Sequence, residues 1–137
     1  MPYWIRDAPR WQVALVGVIV VGLLIGGFAH VADLIRAGVE PYPWAPMWLN
    51  WYWSALAIAD PLAATLLILG RRSGVDLACL IMVTDVASNW YAIEQFLDSD
   101  FWSQPGLQRL CAFGILVLAA APLLRPRMRS TWHPTPA

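Results

Sequence analysis

Four long apolar stretches alternate with short polar segments along this chain. The stretches cover approximately residues 12–32, 50–69, 75–95 and 106–124. A helix needs about 20 mostly apolar residues to cross the hydrocarbon core of a bilayer, and each stretch is close to that length. The third stretch is the least apolar, because it contains Asp76, Asp85 and Glu94. The pattern predicts an all-α protein whose residues 1–124 form a four-helix transmembrane bundle.

Composition supports this class of protein. Of the 137 residues, 59% are hydrophobic and 13% are charged, whereas soluble domains are about a quarter charged. The net charge is zero, so no overall field attracts nucleic acid, and we predict no nucleic-acid partner. The two cysteines, Cys79 and Cys111, are too few for a disulfide framework or a zinc site. No nucleotide-binding loop, metal-ligand cluster or catalytic triad is present. We therefore predict no metal and no cofactor, and the sequence disfavours an enzyme.

Arginine positions predict the orientation. Seven arginines lie on one side of the predicted spans, at positions 6, 10, 71, 72, 125, 127 and 129, and two lie on the other side, at positions 36 and 109. Short loops rich in Lys and Arg stay in the cytoplasm, so both termini are predicted to be cytoplasmic. The first stretch is too long for a signal peptide and is predicted to be retained. Residues 125–137 are predicted to form a short, basic, Pro-rich cytoplasmic tail. The expected location is the cell membrane, as a multi-pass protein of a bacterial plasma membrane.

Residues 38–53, GVEPYPWAPMWLNWYW, form an aromatic segment between the first two spans. Its three prolines disfavour a continuous helix. Trp and Tyr concentrate where a membrane meets water, so the segment predicts an outer aromatic belt. The alternative is an aromatic lid over a cavity that opens outward, and the segment can form both the belt and the lid.

Two carboxylates occupy the middle of predicted spans. Asp60 lies ten residues before Gly70, and Asp85 lies eleven residues after Gly74. The intervening residues 70–74 are predicted to turn the chain, so at about 1.5 Å per residue the two acids lie at nearly the same depth. An acid at the bilayer centre costs about 2.5–3.5 kcal/mol on insertion scales and marks a functional site by default. We therefore expect the pair to hold a proton or a cation, or to line a wet cavity.

Other polar residues extend this site. Asn89 and Ser88 follow Asp85 by four and three residues, so they lie on or near its helical face, and we assign them to the same ligand or ion site. The access route is predicted to involve His30, Asp33, Glu94, Trp51 and Trp90. Pro61 frees a backbone carbonyl beside Asp60 and is expected to kink the helix. Asp76, at the inner mouth, is expected to pair with Arg71 or Arg72.

These residues favour a small membrane protein with an outward-opening polar pocket. The pocket would bind or translocate a small cation, a proton, or a lipophilic ligand resembling an amine, a sterol or a lipid. One alternative is a structural or assembly protein whose buried acids fix helix packing or a partner interface. Another is a lipid-directed enzyme, such as an isomerase, that uses the acids for proton transfer. Gly22 and Gly26 form a GxxxG pattern, which allows close packing within the chain or, alternatively, a homo-oligomer.

The layout of Asp33, Asp60 and the segment YPWAPMWLNWYW is similar to that of the emopamil-binding and sigma-2-receptor-like membrane proteins. That resemblance implies a small helical bundle with cytoplasmic termini. It also implies a cavity for sterols or lipophilic amines, with Asp33 and Asp60 as its acids. The segment TDVASNW, which contains Asp85, has no counterpart in that layout.

Overall fold

The computed structural model describes residues 3–129. Five α-helices follow one another: α1 (Tyr3–Asp7), α2 (Arg10–Ala37), α3 (Met47–Ile68), α4 (Arg72–Phe96) and α5 (Pro105–Leu124). Two short 3₁₀ turns, Phe101–Ser103 and Arg125–Arg127, flank α5. No β-strand occurs among these residues, so the predicted all-α class is confirmed. Of the predicted tail, residues 130–137 lie outside the described part of the chain.

Each predicted stretch forms one helix, and the helix ends follow from glycine and proline. Gly38 ends α2 with φ of 72°, and Gly70 follows α3 with φ of 68°. Both values lie in the left-handed region, which glycine adopts at low cost. Pro46 immediately precedes α3 with extended φ and ψ angles. The loop of residues 38–46 is therefore short, and helix α3 already includes the second half of the aromatic segment.

Three helices are long and apolar enough to cross a membrane. They are α2, α3 and α5 together with the turn that follows it. Helix α4 has sufficient length, at 25 residues, but it is less apolar than the other three. The structure thus supports three of the four predicted spans directly.

Consecutive long helices pack against each other, and α3 and α4 occupy the middle of the array. The chain runs up and down, so the array has two distinct ends. The Arg-rich end contains α1, the α3–α4 turn and residues 125–129. The aromatic end contains the lid loop, residues 38–46, and the connection of residues 97–104. Buried Leu23, Leu49, Leu67 and Val117 contribute to the core between the helices.

Glycines on α2 make the closest contacts with its neighbours. A Cβ atom at Gly26 would lie 2.9 Å from Asp60 Oδ2, and one at Gly27 would lie 3.0 Å from Pro61 Cδ. A Cβ atom at Gly22 would lie 2.4 Å from the ring of Phe113 on α5. Gly22 and Gly26 therefore pack against other helices of the same chain, which is one of the two uses predicted for the GxxxG pattern.

The Arg-rich end is fastened by residues far apart in sequence. The Arg129 amide donates to the Gly70 carbonyl at 3.0 Å, and the Arg72 amide donates to the Arg129 carbonyl at the same distance. Asp76 pairs with Arg125 at 2.7 Å, so the expected pairing with Arg71 or Arg72 is wrong. The Arg72 Nε atom donates instead to the Met128 carbonyl at 2.8 Å.

Candidate functional site

The two mid-helix acids are both buried. Asp60 on α3 is 4% exposed and Asp85 on α4 is 6% exposed. Their helices, α3 and α4, pack against each other. Oδ2 of Asp60 faces the notch at Gly26, where α2 has no side chain. Oδ1 of Asp60 is buried and has no hydrogen-bond partner among the described residues.

Asp85, in contrast, belongs to a network of side chains. Asn89 Nδ2 donates to Asp85 Oδ1 at 2.9 Å and also to the Asp85 carbonyl at 3.0 Å. The Ser88 hydroxyl donates to the same carbonyl at 3.0 Å, and Trp53 Nε1 donates to Ser88 Oγ at 3.3 Å. The helical spacing from 85 to 88 and 89 thus gathers these groups as predicted. The contact from Trp53 on α3 joins the network to a second helix.

Tyr52, from the aromatic segment of residues 38–53, also lies in this region. Its hydroxyl lies 2.7 Å from Thr84 Oγ1. Thr84 in turn donates to the Leu80 carbonyl at 2.8 Å, so Tyr52 can donate to Thr84. The position of Tyr52 eight residues before Asp60, about two helical turns, was the available signal.

A cavity of about 90 Å³ lies near this network at the aromatic end. It is lined by His30, Tyr42, Trp44, Trp53 and Asn89. A water molecule needs about 10–15 Å³ of such space and two or more polar partners. The cavity therefore has room for several waters. Asn89 contributes to its wall and hydrogen-bonds Asp85, so it connects the cavity to the acid pair.

Asn50 holds the lid loop over the cavity. It was not among the site residues predicted from the sequence. This side chain on α3 is 1% exposed. Its Oδ1 accepts from the Tyr42 amide at 2.9 Å. Its Nδ2 donates to the carbonyls of Tyr42 and Ala45 at 3.0 and 3.2 Å. The sequence does contain a signal for this role, since Asn50 is a single amide side chain in an apolar stretch that follows a proline-rich loop.

Aromatic packing and one hydrogen bond complete the lid. The rings of Tyr42 and Trp53 meet edge to face with centroids 4.9 Å apart, and Trp44 packs on both. The Tyr42 hydroxyl donates to Asp33 Oδ2 at 2.5 Å. Burial raises the pKa of Tyr42, and its bond to Asp33 raises it further. His30 lines the cavity, and Asp33 contacts it only through its hydrogen bond with Tyr42.

Glu94, Trp90 and Trp51 lie elsewhere. Trp90 Nε1 donates to Glu94 Oε1 at 2.6 Å, on a part of α4 that faces α5. Glu94 follows Asp85 by nine residues, half a turn out of phase, which separates it from the acid pair. Trp51 is 59% exposed and suits the aromatic belt. The aromatic segment thus contains exposed rings, as at Trp51, as well as the rings that line the cavity.

Among residues 3–129, no group of three or more His, Cys, Asp or Glu side chains could hold a metal ion. A scan against protein-family models, a search of curated proteins and a search of solved structures each found no match to this chain. The similarity in layout to emopamil-binding and sigma-2-receptor-like proteins accordingly rests on the sequence pattern alone. The geometry of the buried acids is what points to a function.

Proposed function

We propose that this protein is a four-span integral membrane protein that binds a proton at the Asp60–Asp85 pair and exchanges it with the aromatic end. The observation that carries the proposal is the buried Asp60 Oδ1, which has no hydrogen-bond partner among the described residues. A buried, unpaired carboxylate is costly by several kcal/mol. A bound proton removes that charge, and no basic side chain has to enter the site.

A proton suits this site better than a metal ion. Ca²⁺ takes six to eight oxygen ligands, and Mg²⁺ requires an octahedral set. Around Asp60 the α2 backbone is packed so closely that a single added carbon at Gly26 would lie 2.9 Å from the carboxylate. The contact therefore has no room for a hydrated cation, whereas a proton needs no additional volume.

The outer face of α4 supports placing it in the membrane as a fourth span. Asp85 is buried, Asp76 is paired near the beginning of the helix, and Glu94 lies near its end. Between these ends, Leu80 and Val83 are exposed, at 60% and 53%. The acids lower the overall hydropathy of the helix but leave an apolar surface toward lipid. With four spans, the arginine distribution places both termini in the cytoplasm of the cell.

The exchange route runs from the cavity through Asn89 to Asp85 and then to Asp60. Water in the cavity would reach the Asn89 amide, which donates to Asp85 Oδ1. Asn89 acts as a positioning residue, because it lines the cavity and its amide holds Asp85 Oδ1 beside the cavity wall, where water can bring a proton. Two buried negative charges on adjacent helices oppose each other. One bound proton would therefore stabilise the pair.

Proton loss would act on helix packing. A charged Asp60 requires water or a donor, and its Oδ2 faces the α2 backbone at Gly26. Hydrating this group means separating α2 from α3 around Gly26 and Gly27. The site thus links the protonation state of the pair to the spacing between these helices.

Infrared titration of the protein in liposomes tests the proposal. Between pH 4 and pH 10, we expect the carbonyl band of a buried, protonated carboxyl to appear and disappear reversibly. Asp60→Asn should remove most of that signal, and Asp85→Asn should shift its midpoint. The matched control is Asp76→Asn, which removes an exposed carboxylate and should leave the band unchanged. After a pH jump, Asn89→Leu should slow the exchange.

A structural role is the second candidate, and the close packing of Gly26 and Gly27 on Asp60 and Pro61 favours it. In that case both acids stay protonated throughout and only join helices. Asp60→Asn and Asp85→Asn would then preserve the unfolding free energy, since Asn makes similar hydrogen bonds. The buried carboxyl band would not titrate between pH 4 and pH 10. That result contradicts the proton-exchange proposal.

A further inference from the structure

A second feature lies on the opposite side of α4 from the acid pair. An apolar groove of about 450 Å³ follows the α4–α5 seam. Its lining includes Val83, Ala87 and Trp90 from α4, and Gly114 and Leu118 from α5. Gly114 has no side chain to fill the space, and a Cβ atom there would first meet Val86 at 3.4 Å. The groove is therefore open to the lipid side of the array.

The groove spans one half of a bilayer. Its α4 lining runs from Met82 to Trp90, which is about 12 Å along a helix at 1.5 Å per residue. Half of a hydrocarbon core measures about 15 Å. The groove therefore extends from near the mid-depth of the helices to the aromatic end, the length of one leaflet.

At Trp90 the groove adjoins a polar cup. This second space, of about 220 Å³, is lined by Trp90, Glu94, Ser99, Asp100 and Phe101 among others. Trp90 belongs to both spaces, and its ring stacks on Phe101 with centroids 5.5 Å apart. The apolar groove and the cup with its two carboxylates thus lie on either side of one shared side chain, Trp90.

The cup is negatively charged. Glu94 uses Oε1 to accept from Trp90 at 2.6 Å, and its Oε2 makes no hydrogen bond among the described residues. Asp100 Oδ1 accepts from the hydroxyl and the amide of Ser103, each at 2.8 Å. These bonds lower the pKa of Asp100 and keep it ionised. No basic residue contributes to the cup lining described here.

We propose that groove and cup together bind a phospholipid whose headgroup carries a primary ammonium. One acyl chain would occupy the groove, and the ammonium would lie in the cup against Glu94 and Asp100. The apolar length matches one leaflet, and the charge of the cup complements a cation. An anionic headgroup would be repelled. The inference rests on the four-span arrangement proposed above, because the α4–α5 face must lie in the membrane.

Native mass spectrometry of the full chain tests this site. The protein is taken from vesicles of equimolar phosphatidylethanolamine and phosphatidylglycerol, and the retained lipids are identified. The wild type should retain phosphatidylethanolamine preferentially. Glu94→Gln with Asp100→Asn keeps both hydrogen-bond acceptors but removes both charges. This double variant should lose the preference, by roughly fivefold for each carboxylate removed.

Two controls isolate the site. Asp98→Asn removes a carboxylate that does not line the cup and should retain the preference. Ala87→Leu fills the groove and should reduce retention of the lipid, whereas Ala119→Leu, outside the groove lining, should not. Equal retention of both lipids by the wild type, or an equal loss in the Asp98→Asn variant, would refute the inference.

The carboxyl titration separates the two proposals. Glu94 and Asp100 lie apart from the acid pair, so their double variant should retain the buried carboxyl band. A titrating pair without lipid preference overturns the lipid site alone. Lipid preference without a titrating pair overturns proton exchange alone.

Discussion

The two ends of the helix array are closed in different ways. At the Arg-rich end, the backbone of Arg129 bonds to Gly70 and Arg72, and Trp4 Nε1 donates to the Ile68 carbonyl at 2.7 Å. These contacts join both ends of the described chain to the α3–α4 turn. At the aromatic end, one buried amide, Asn50, and a cluster of rings hold the lid loop over a cavity.

This difference indicates which end is suited to exchange. Backbone bonds between distant segments fix the Arg-rich end, because breaking them exposes several polar groups at once. The lid loop is held on α3 by side chains and covers a space that can hold water. In the proposed function, a path from the acid pair would therefore open toward the aromatic end, where the cavity lies. Variants that alter one end at a time test this difference.

The largest effect is expected at Asn50. Asn50→Leu leaves the Tyr42 amide and the carbonyls of Tyr42 and Ala45 without their side-chain partner. Each buried polar group that loses its partner costs about 1–3 kcal/mol, so we expect the unfolding free energy to fall by about 3 kcal/mol. Unfolding by sodium dodecyl sulfate in mixed micelles measures this change.

The corresponding control is Asp76→Asn at the Arg-rich end. It breaks the Arg125–Asp76 pair, whose side chains are 56% and 50% exposed. Exposed pairs contribute little, so the change should be at most about 0.5 kcal/mol. An equal loss in both variants would show that the lid does not depend on Asn50 in the way described.

Gly70 tests how tightly Trp4 closes the Arg-rich end. Gly70 has φ of 68°, so alanine there costs about 1 kcal/mol of backbone strain. A Cβ atom at Gly70 would also come too close to the Trp4 ring. Gly70→Ala should therefore lower the unfolding free energy by about 2 kcal/mol, but by only about 1 kcal/mol when Trp4→Ala has already removed the ring. Equal losses with and without the ring would mean that Trp4 does not constrain the turn.

The smallest effect concerns the Tyr42–Asp33 bond. Tyr42→Phe should cost about 1 kcal/mol at neutral pH, the typical worth of a hydrogen bond. The pKa of Tyr42 is raised above its ordinary value of 10, so the folded state holds this proton more tightly than the unfolded state. Its contribution to stability is complete below pH 10 and is lost as the pH rises above that value. Comparing unfolding at pH 7 and pH 11 should show a smaller alkaline decline in the variant.

Much of the candidate site follows from counting residues. Helical spacing predicted the contacts of Ser88 and Asn89 with Asp85, which the structure contains, because an α-helix has a constant period. The equal distances of Asp60 and Asp85 from their shared turn predict a common depth for the two acids. The contacts of Asn50 and Tyr52 and the pairing of Asp76 with Arg125 were not predicted. Each contact joins two different segments, and helical periodicity does not describe how separate segments lie relative to each other.

By itself, the sequence determined that the chain is all-α and where its long helices lie. Local periodicity and composition carry that information. Only the tertiary structure decided that Asp60 Oδ1 has no hydrogen-bond partner among residues 3–129 while Asp85 Oδ1 has one, and that glycines of α2 pack against Asp60. It also decided that the cavity reaches Asn89. These properties depend on how helices rotate and approach one another, and side chains distant in sequence set that packing.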